Sequence, residues 1–518
     1  MRPARGTLIL AAVILVQLLP IWLLPFFPTQ DGPTHLTIAR VLRDYDRPEY
    51  PVLREVFEKN GEAVPNRFIY FVLADVLRFV SVPVAEKILL SAYVILLPLA
   101  VRYAVAGVSP GNASLAVLAL PFTFNFLLTM GFYNFSLSLV AFFFALGWWL
   151  RHRDRFGPLA ALVFAALSIW VYFCHAVTLV ALLATVGVAA IVKRDLKGLA
   201  WLALAGLPAT VLTFSYAGEL GGYRGWLPFG DRLWRLGTLN ALVTIDSRTD
   251  LLAALLAITL AFVAFRLLKK PREAGLGFAV VTLGLLTLAA PQAVGVGNFI
   301  TDRLVLFPWM VVIPWLAAFE HSPRSRLGLE ILGAGIALGM LGLLVPRWHE
   351  ANLYLAEMAP ALERVEPGST YLPIAFSWEG EAPDGGPVLH RIYPFLHAGD
   401  HVSARTPVAN LNLFAAGTDA FPIRYRPERD PFTYLRTRTG WVLSPDVDYV
   451  LIWWPRTREP KILESRRLLM DLEAGYDRIY TSPRDLVRLY RRKPHPLSPS
   501  PISRPRPRRE RGDVTEAL

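Results

Sequence analysis

Residues 7–27, TLILAAVILVQLLPIWLLPFF, decide the fold. The run carries no charge, and about 20 apolar residues in a helix match a hydrocarbon core about 30 Å thick. Arg2 and Arg5 precede it, as in a signal peptide. The run is too long for a signal-peptide core, and no small-x-small cleavage site follows it. It reads as an uncleaved anchor. Comparable stretches recur at 84–105, 113–129, 132–150, 157–174, 176–192, 198–217, 250–268, 275–294, 304–319 and 327–346. Residues 66–82, NRFIYFVLADVLRFVSV, are shorter and carry Asp75 and Arg78. They fit a tilted span, a re-entrant piece or an interfacial helix. The composition, 54% hydrophobic and 18% charged, agrees with a membrane body and excludes a disordered chain. The single cysteine, Cys174, excludes an intrachain disulfide and a cysteine zinc cluster.

The formal charge of +12 is an orientation signal. Arg2, Arg5, Arg102, Arg151, Arg153, Arg155, Lys193, Arg194, Lys197, Arg266, Lys269, Lys270, Arg272, Arg324 and Arg326 all lie at or beside span ends, against four acids, Asp154, Asp195, Glu273 and Glu320. Basic residues collect on the cytoplasmic side. Residues 29–66 carry 5 basic and 7 acidic groups and belong outside. Eleven spans starting inside end outside, so residues 347–490 are placed on the outer face. Counting 66–82 as a full span breaks the alternation before Arg102. No concentrated basic face remains for nucleic acid.

After Arg347 the pattern changes. STYLPIAF (369–376), DYVLIWW (448–454) and the pieces of 477–492 read as strands, with helical pieces at 350–364 and 460–474 between them. Strands interleaved with helices suggest an α/β domain. The stretch 399–427 reads as a packed, proline-anchored loop ending in Arg424 and Arg426, with an acceptor-binding surface as the other reading. Residues 491–518 are rich in Pro, Ser and Arg and read as a disordered tail. The expected architecture is therefore a polytopic α-helical membrane domain, 1–346, with about 11–13 transmembrane helices, followed by an extracytoplasmic α/β domain, 347–490, and the tail.

The first outer loop, TQDGPTHLTIARVLRDYDRPEYP, is the most informative stretch for chemistry. Asp31 sits at the membrane boundary, in a turn set by Gly32 and Pro33, and a helix starts near Pro33–Thr34. An Asp before a helix is first an N-cap. It is equally a carboxylate beside the His35 imidazole at the membrane surface, which suits a general base for a substrate arriving from the bilayer.

This layout resembles the GT-C superfamily of integral-membrane glycosyltransferases, including the protein mannosyltransferase-like and aminoarabinose transferase-like families. The resemblance rests on Asp31 directly after the first span, His35 four residues on, MGFYNFSLSL (130–139), and FITDRLVLFPWMVVIP (299–314). It implies transfer of a sugar from a polyprenyl-phosphate donor to a glycan, lipid or protein acceptor on the outer face of a bacterial inner membrane. It implies catalytic roles for Asp31 and His35, with Arg303 and, less directly, Arg224 holding the donor phosphate. Tyr133, Asn134 and His175 become candidate site-lining residues, and the loop with Trp226 and Trp234 an interfacial segment that closes over the donor. The family's second acid is missing, since Gly32 follows Asp31; Asp44, Asp46 and Glu49 are the alternatives in the loop. A lone Asp is a poor cation site, so no metal is favoured, and the scattered histidines show no zinc spacing. Asn134 and His175 equally fit helix-end roles, and Arg303 equally fits an ion pair with Asp302. Two other classes suit the layout: a non-catalytic scaffold binding envelope partners, and a flippase for a lipid-linked glycan. A flippase should show inverted repeats, and the sequence has no internal repeat.

Overall fold

The computed structural model describes residues 5–494 apart from 220–221, 268–272, 296, 384, 438–439 and 456–461. The tail from 495 onward and the basic residues Arg2, Lys269, Lys270 and Arg272 lie outside the described residues.

The N-terminal two-thirds is a bundle of apolar helices. The chain enters with α1 (Arg5–Leu23) and leaves the bundle for α2 (Gly32–Asp44), α3 (Pro51–Val56), the short strand β1 (Phe57–Lys59) and α4 (Phe68–Val76). It returns with α5 (Val82–Val108), a 3₁₀ segment (Pro110–Phe122), the single turn α6 (Phe126–Thr129), and α7 (Tyr133–His152), α8 (Pro158–Cys174), α9 (Ala176–Lys193) and α10 (Leu196–Glu219). A second excursion holds β2 (Arg224–Gly225) and α11 (Phe229–Gly237). Then come α12 (Thr249–Leu267), α13 (Ala274–Ala289), β3 (Ala293–Val294), α14 (Ile300–Leu316) and α15 (Pro323–Leu355). Among the described residues, seven helices are long and apolar enough to cross a membrane, with three shorter apolar ones beside them. Large apolar side chains such as Leu23, Phe214, Phe265 and Leu285 point outward, which suits a lipid surround.

One expected span takes a different form, and the stretch left open at 66–82 takes a short one. Residues 113–129 fall in the 13-residue 3₁₀ segment Pro110–Phe122 and the single helical turn Phe126–Thr129. At about 2 Å per residue such a segment reaches about 26 Å, close to the span of a much longer α-helix. Its residues from Leu115 to Phe122 are buried, and α15 approaches it so closely that a Cβ on Gly333 would lie 3.0 Å from the Val117 carbonyl. Residues 66–82 form only the 9-residue α4, about 14 Å long, which does not cross.

The C-terminal region is a mixed α/β unit. Its elements are α16 (Ala359–Leu362), β4 (Thr370–Ala375), α17 (Asp400–Arg405), β5 (Ala409–Asn410), β6 (Ile423–Tyr425), α18 (Pro431–Tyr434), β7 (Arg436–Thr437), β8 (Gly440–Trp441), β9 (Tyr449–Trp453), α19 (Ile462–Gly475), β10 (Tyr476–Thr481) and β11 (Val487–Arg492). Five strands form one sheet in the order β10-β11-β9-β4-β5. β4 runs parallel to β5 and β9, while β9, β11 and β10 are antiparallel. Strand β9 is buried along its whole length, as expected of a central strand covered on both faces.

Loop 29–66 and the C-terminal region share one face of the bundle. β1 pairs with β6, matching Phe57 to Tyr425. Asn60 Nδ2 donates to the carbonyls of Asp419 (2.8 Å) and Phe421 (3.1 Å). Thr37 Oγ1 of α2 donates to the Asp400 carbonyl (3.1 Å) and bonds Ser403 Oγ (3.0 Å). The opposite face is basic and cross-linked, with Arg153 on Glu273 (2.6 Å) and Lys193 on Asp154 (2.5 Å). Arg424 and Arg426 serve the packing of the two pieces: Arg424 pairs with Glu58 (2.5 Å), and Arg426 Nε donates to the Arg54 carbonyl (2.6 Å).

Candidate functional site

Asp31 lies where the bundle, α2 and the C-terminal region meet. Its backbone is clasped by the turn between α6 and α7: Gln30 N–H donates to the Thr129 carbonyl (3.2 Å) and Asp31 N–H to the Met130 carbonyl (3.0 Å). Gly131 has φ +88°, and a Cβ there would stand 2.6 Å from Gly32 N and 2.9 Å from Asp31 N. The close approach therefore requires glycine. Asp31 occupies the N-cap position of α2, but its side chain makes no capping bond. It is buried, at 7% exposure. It accepts from Gln30 Nε2 (3.2 Å), and its Oδ1 lies 3.7 Å from His397 Nε2.

The other side of the His397 ring faces a second carboxylate. His397 Nδ1 is 3.9 Å from Asp400 Oδ2. Asp400 is buried and accepts from Thr34 Oγ1 of α2 (2.5 Å) and Asn410 Nδ2 of β5 (2.7 Å). A narrow cleft reaches His397 and Asp400 past Pro373 and Asn412 at the carboxyl end of β4, the usual ligand side of parallel strands. Gln30 also ties the two pieces, accepting from Tyr393 N–H (2.8 Å) through Oε1.

His35 shares a 2.9 Å hydrogen bond with the Tyr70 hydroxyl. Its ring also sits against Tyr133, at 5.9 Å between centroids. Tyr133 donates to Glu86 (2.7 Å) and bonds Thr29 Oγ1 (3.0 Å). Arg303, in the first turn of α14, stacks on Phe132 at 4.6 Å and Phe135 at 5.7 Å. It donates to the Asn298 carbonyl, and its buried Nε has no hydrogen-bond partner. Asp302 engages Arg235 and Gln292 Nε2 (2.8 Å), so its hydrogen bonds go to those groups.

The remaining sequence candidates fall elsewhere or do structural work. Asn134 binds the start of α4, accepting from Ile69 N–H (2.9 Å) and donating to the Asn66 carbonyl (3.0 Å). His175 accepts from Val177 N–H (3.3 Å) as the N-cap of α9. Arg224 is exposed on β2, paired through its backbone with Val294. Asp44 ends α2, about 20 Å along the helix from Asp31, clamped by Arg40 (2.5 Å) and Arg47 (3.1 Å). Asp46 pairs with Lys59 (2.6 Å), and Glu49 is exposed. Trp226 and Trp234 are exposed beside Phe229 and Leu233, an apolar face suited to the membrane interface. Sequence reasoning missed His397 and Asp400. The only signal was an imidazole and a carboxylate three residues apart at the start of α17.

Burial governs the electrostatics. It pushes the Asp31 carboxyl up to about 7; the charge of Asp400 adds to the rise, while Gln30 and Arg303 oppose it. Burial likewise raises Asp400 to about 7, against donation from Thr34 and Asn410. It lowers His35 to about 4 and His397 to about 3, so both imidazoles are neutral near neutral pH. A carboxylate in this state is far more basic than an exposed one and is still substantially ionised at pH 7. Among the described residues, no group of three or more His, Cys, Asp or Glu side chains is placed to hold a metal ion. In comparisons with known proteins, the chain matches no family model and no curated sequence. The fold and site define a multi-pass helical membrane protein whose C-terminal α/β region completes a buried acid–imidazole cluster on the bundle.

Proposed function

We propose that the protein is a GT-C-type glycosyltransferase of a bacterial inner membrane. In this reading the basic face is cytoplasmic, and the face bearing Asp31 is the outer one. Asp31 takes the proton of an acceptor hydroxyl as its oxygen attacks the anomeric carbon of a polyprenyl-phosphate sugar. The bond from that carbon to the phosphate oxygen breaks, and the electron pair leaves with the lipid phosphate. Arg303 lies close enough to influence the Asp31 carboxyl, and its guanidinium is suited to the charge on the leaving phosphate. His35 and Tyr70 shape the floor beside Asp31.

The observation that carries this reading is the state of Asp31. It is a buried carboxyl at the N-cap position that does no capping, and burial makes it basic. A structural Asp would bond the α2 N–H groups instead. The test is transfer from labelled polyprenyl-phosphate sugars in membranes holding wild type or Asp31→Asn. Loss of about 10²-fold or more in turnover is expected. Equal activity removes Asp31 from its role. Absence of transfer by wild type with every donor overturns the reading and favours a scaffold.

A further inference from the structure

The carboxylate missing after Asp31 in sequence is supplied in space by the C-terminal region. A single imidazole, His397, stands between Asp31 (3.7 Å) and Asp400 (3.9 Å). Asp31 and Asp400 are buried, and the His397 side chain between them is 14% exposed. Asp400 is held on both oxygens, by Thr34 from α2 and Asn410 from β5. Thr37 and Ser403 lock the same helix pair one turn further on. α17 is therefore registered to α2 through the residues that flank Asp31.

A neutral imidazole has one N–H and one lone pair. It can donate to only one of its two carboxyl neighbours. Asp400 already has two donors and can carry charge, which orients the N–H at Nδ1 toward it. The Nε2 lone pair then faces Asp31 and favours the orientation in which Asp31 presents a proton to the ring. Both separations, 3.7 and 3.9 Å, exceed a direct hydrogen bond, so the coupling is electrostatic in this arrangement.

We propose that His397 and Asp400 are positioning residues for Asp31: Asp400 fixes the tautomer and orientation of the His397 ring, and the ring fixes the orientation and proton occupancy of Asp31. The catalytic consequence rests on the reading of Asp31 as base; the coupling of the three groups does not. The C-terminal region thus becomes part of the site. Other groups also face Asp31 and are left unaltered in every variant: Gln30, His35 of α2, Tyr70 of α4, Tyr133 of α7 with Glu86 of α5 behind it, and Arg303 of α14.

The experiment uses full-length protein in detergent, as wild type, His397→Gln, His397→Ala, Asp400→Asn and Asp31→Asn. Infrared difference spectra follow the protonated-carboxyl band between about pH 4 and 9, and Asp31→Asn identifies the Asp31 contribution. In Asp400→Asn the Asp31 midpoint should move to lower pH, because the charge of Asp400 raises it. In His397→Ala it should also fall, because water replaces the ring. In the transfer assay, His397→Ala should lose about 10²-fold in turnover with KM little changed, and His397→Gln should recover part of it. An Asp31 midpoint unmoved in both Asp400→Asn and His397→Gln overturns the proposal, whether or not the protein transfers sugar. Wild type that transfers nothing yet shows the coupled midpoints supports the coupling and refutes only the glycosyltransferase reading.

Discussion

Asp31→Asn should stabilise the protein at alkaline pH and leave it unchanged in acid. The carboxyl stands at about 7 in the folded chain, against 3.8 when unfolded. Between those values the folded state binds more protons than the unfolded state, so stability falls as pH rises. The contribution is unpenalised below about pH 4, declines up to about pH 7 and is flat above. At about 1.4 kcal/mol per pH unit, the full penalty is of order 4 kcal/mol at pH 8. Asparagine removes the charge, keeps an acceptor for Gln30 and presents a donor to the His397 lone pair. The gain at pH 8 should raise the midpoint of thermal unfolding by several degrees, with less effect per kcal/mol than in a small domain. His35 (about 4), His397 (about 3) and His401 (about 3) act in the opposite sense, their contribution being lost as pH falls below 6.5. To first order they titrate similarly in wild type and variant and cancel in the difference. The assay is thermal unfolding of both proteins in one detergent at about pH 4.5 and 8. Equal midpoints at pH 8, or the same gain at both pH values, would refute the argument, because the carboxyl would then carry no burial penalty.

Two further perturbations test the frame around the site. Gly131→Ala forces a Cβ to within 2.6 Å of Gly32 N at a φ of +88°; it should cost about 2 kcal/mol or more, read as a lowered unfolding midpoint, and an unchanged midpoint would show that the clasp on Asp31 is loose. Asn352 of α15 donates to the carbonyls of Phe26 (2.7 Å) and Trp348 (2.9 Å) and accepts from Phe26 N–H (2.9 Å). Asn352→Ala leaves the Phe26 N–H and carbonyl without this partner and should cost about 1–3 kcal/mol, checked by the same unfolding measurement, with no change counting against the bonds as a support for the exit of α1.

The membrane body was readable because hydropathy and length are local quantities. Each of the apolar stretches carries a helical element, and among the described residues seven helices are long and apolar enough to cross a membrane. The departures follow from geometry that hydropathy does not report. Counting residues assumes 1.5 Å of rise, so the 3₁₀ segment Pro110–Phe122 reaches further than its number of residues suggests. Arg347, His349 and Glu350 mark a change of polarity, yet α15 continues to Leu355. At 33 residues it is about 50 Å long, well beyond a hydrocarbon core of about 30 Å. Polarity there marks the end of the apolar stretch, and the helix continues beneath the α/β region.

The site was half readable for a related reason. Asp31 and His35 lie one helical turn apart at a membrane boundary, which the sequence displays directly. His397 and Asp400 lie more than 360 residues away, and nothing local joins them to Asp31. Thr34 and Thr37, three residues apart on α2, present the hydroxyls that seat α17 beside Asp31. That polar face of α2 has no purpose in a free amphipathic helix, and it becomes intelligible once α17 is seated on it. The absence of a second acid after Asp31 follows the same logic. Gly32 accepts the clasp of the α6–α7 turn, where a Cβ would stand 2.2 Å from Thr29 Oγ1 and 2.5 Å from the Tyr133 hydroxyl. A carboxylate beside Asp31 in sequence would not fit, and the fold brings one from the C-terminal region instead. Two buried carboxyls, each destabilising at neutral pH, are a poor choice for holding two pieces of protein together; apolar side chains would do it better. Their shared imidazole is the feature that packing alone does not require.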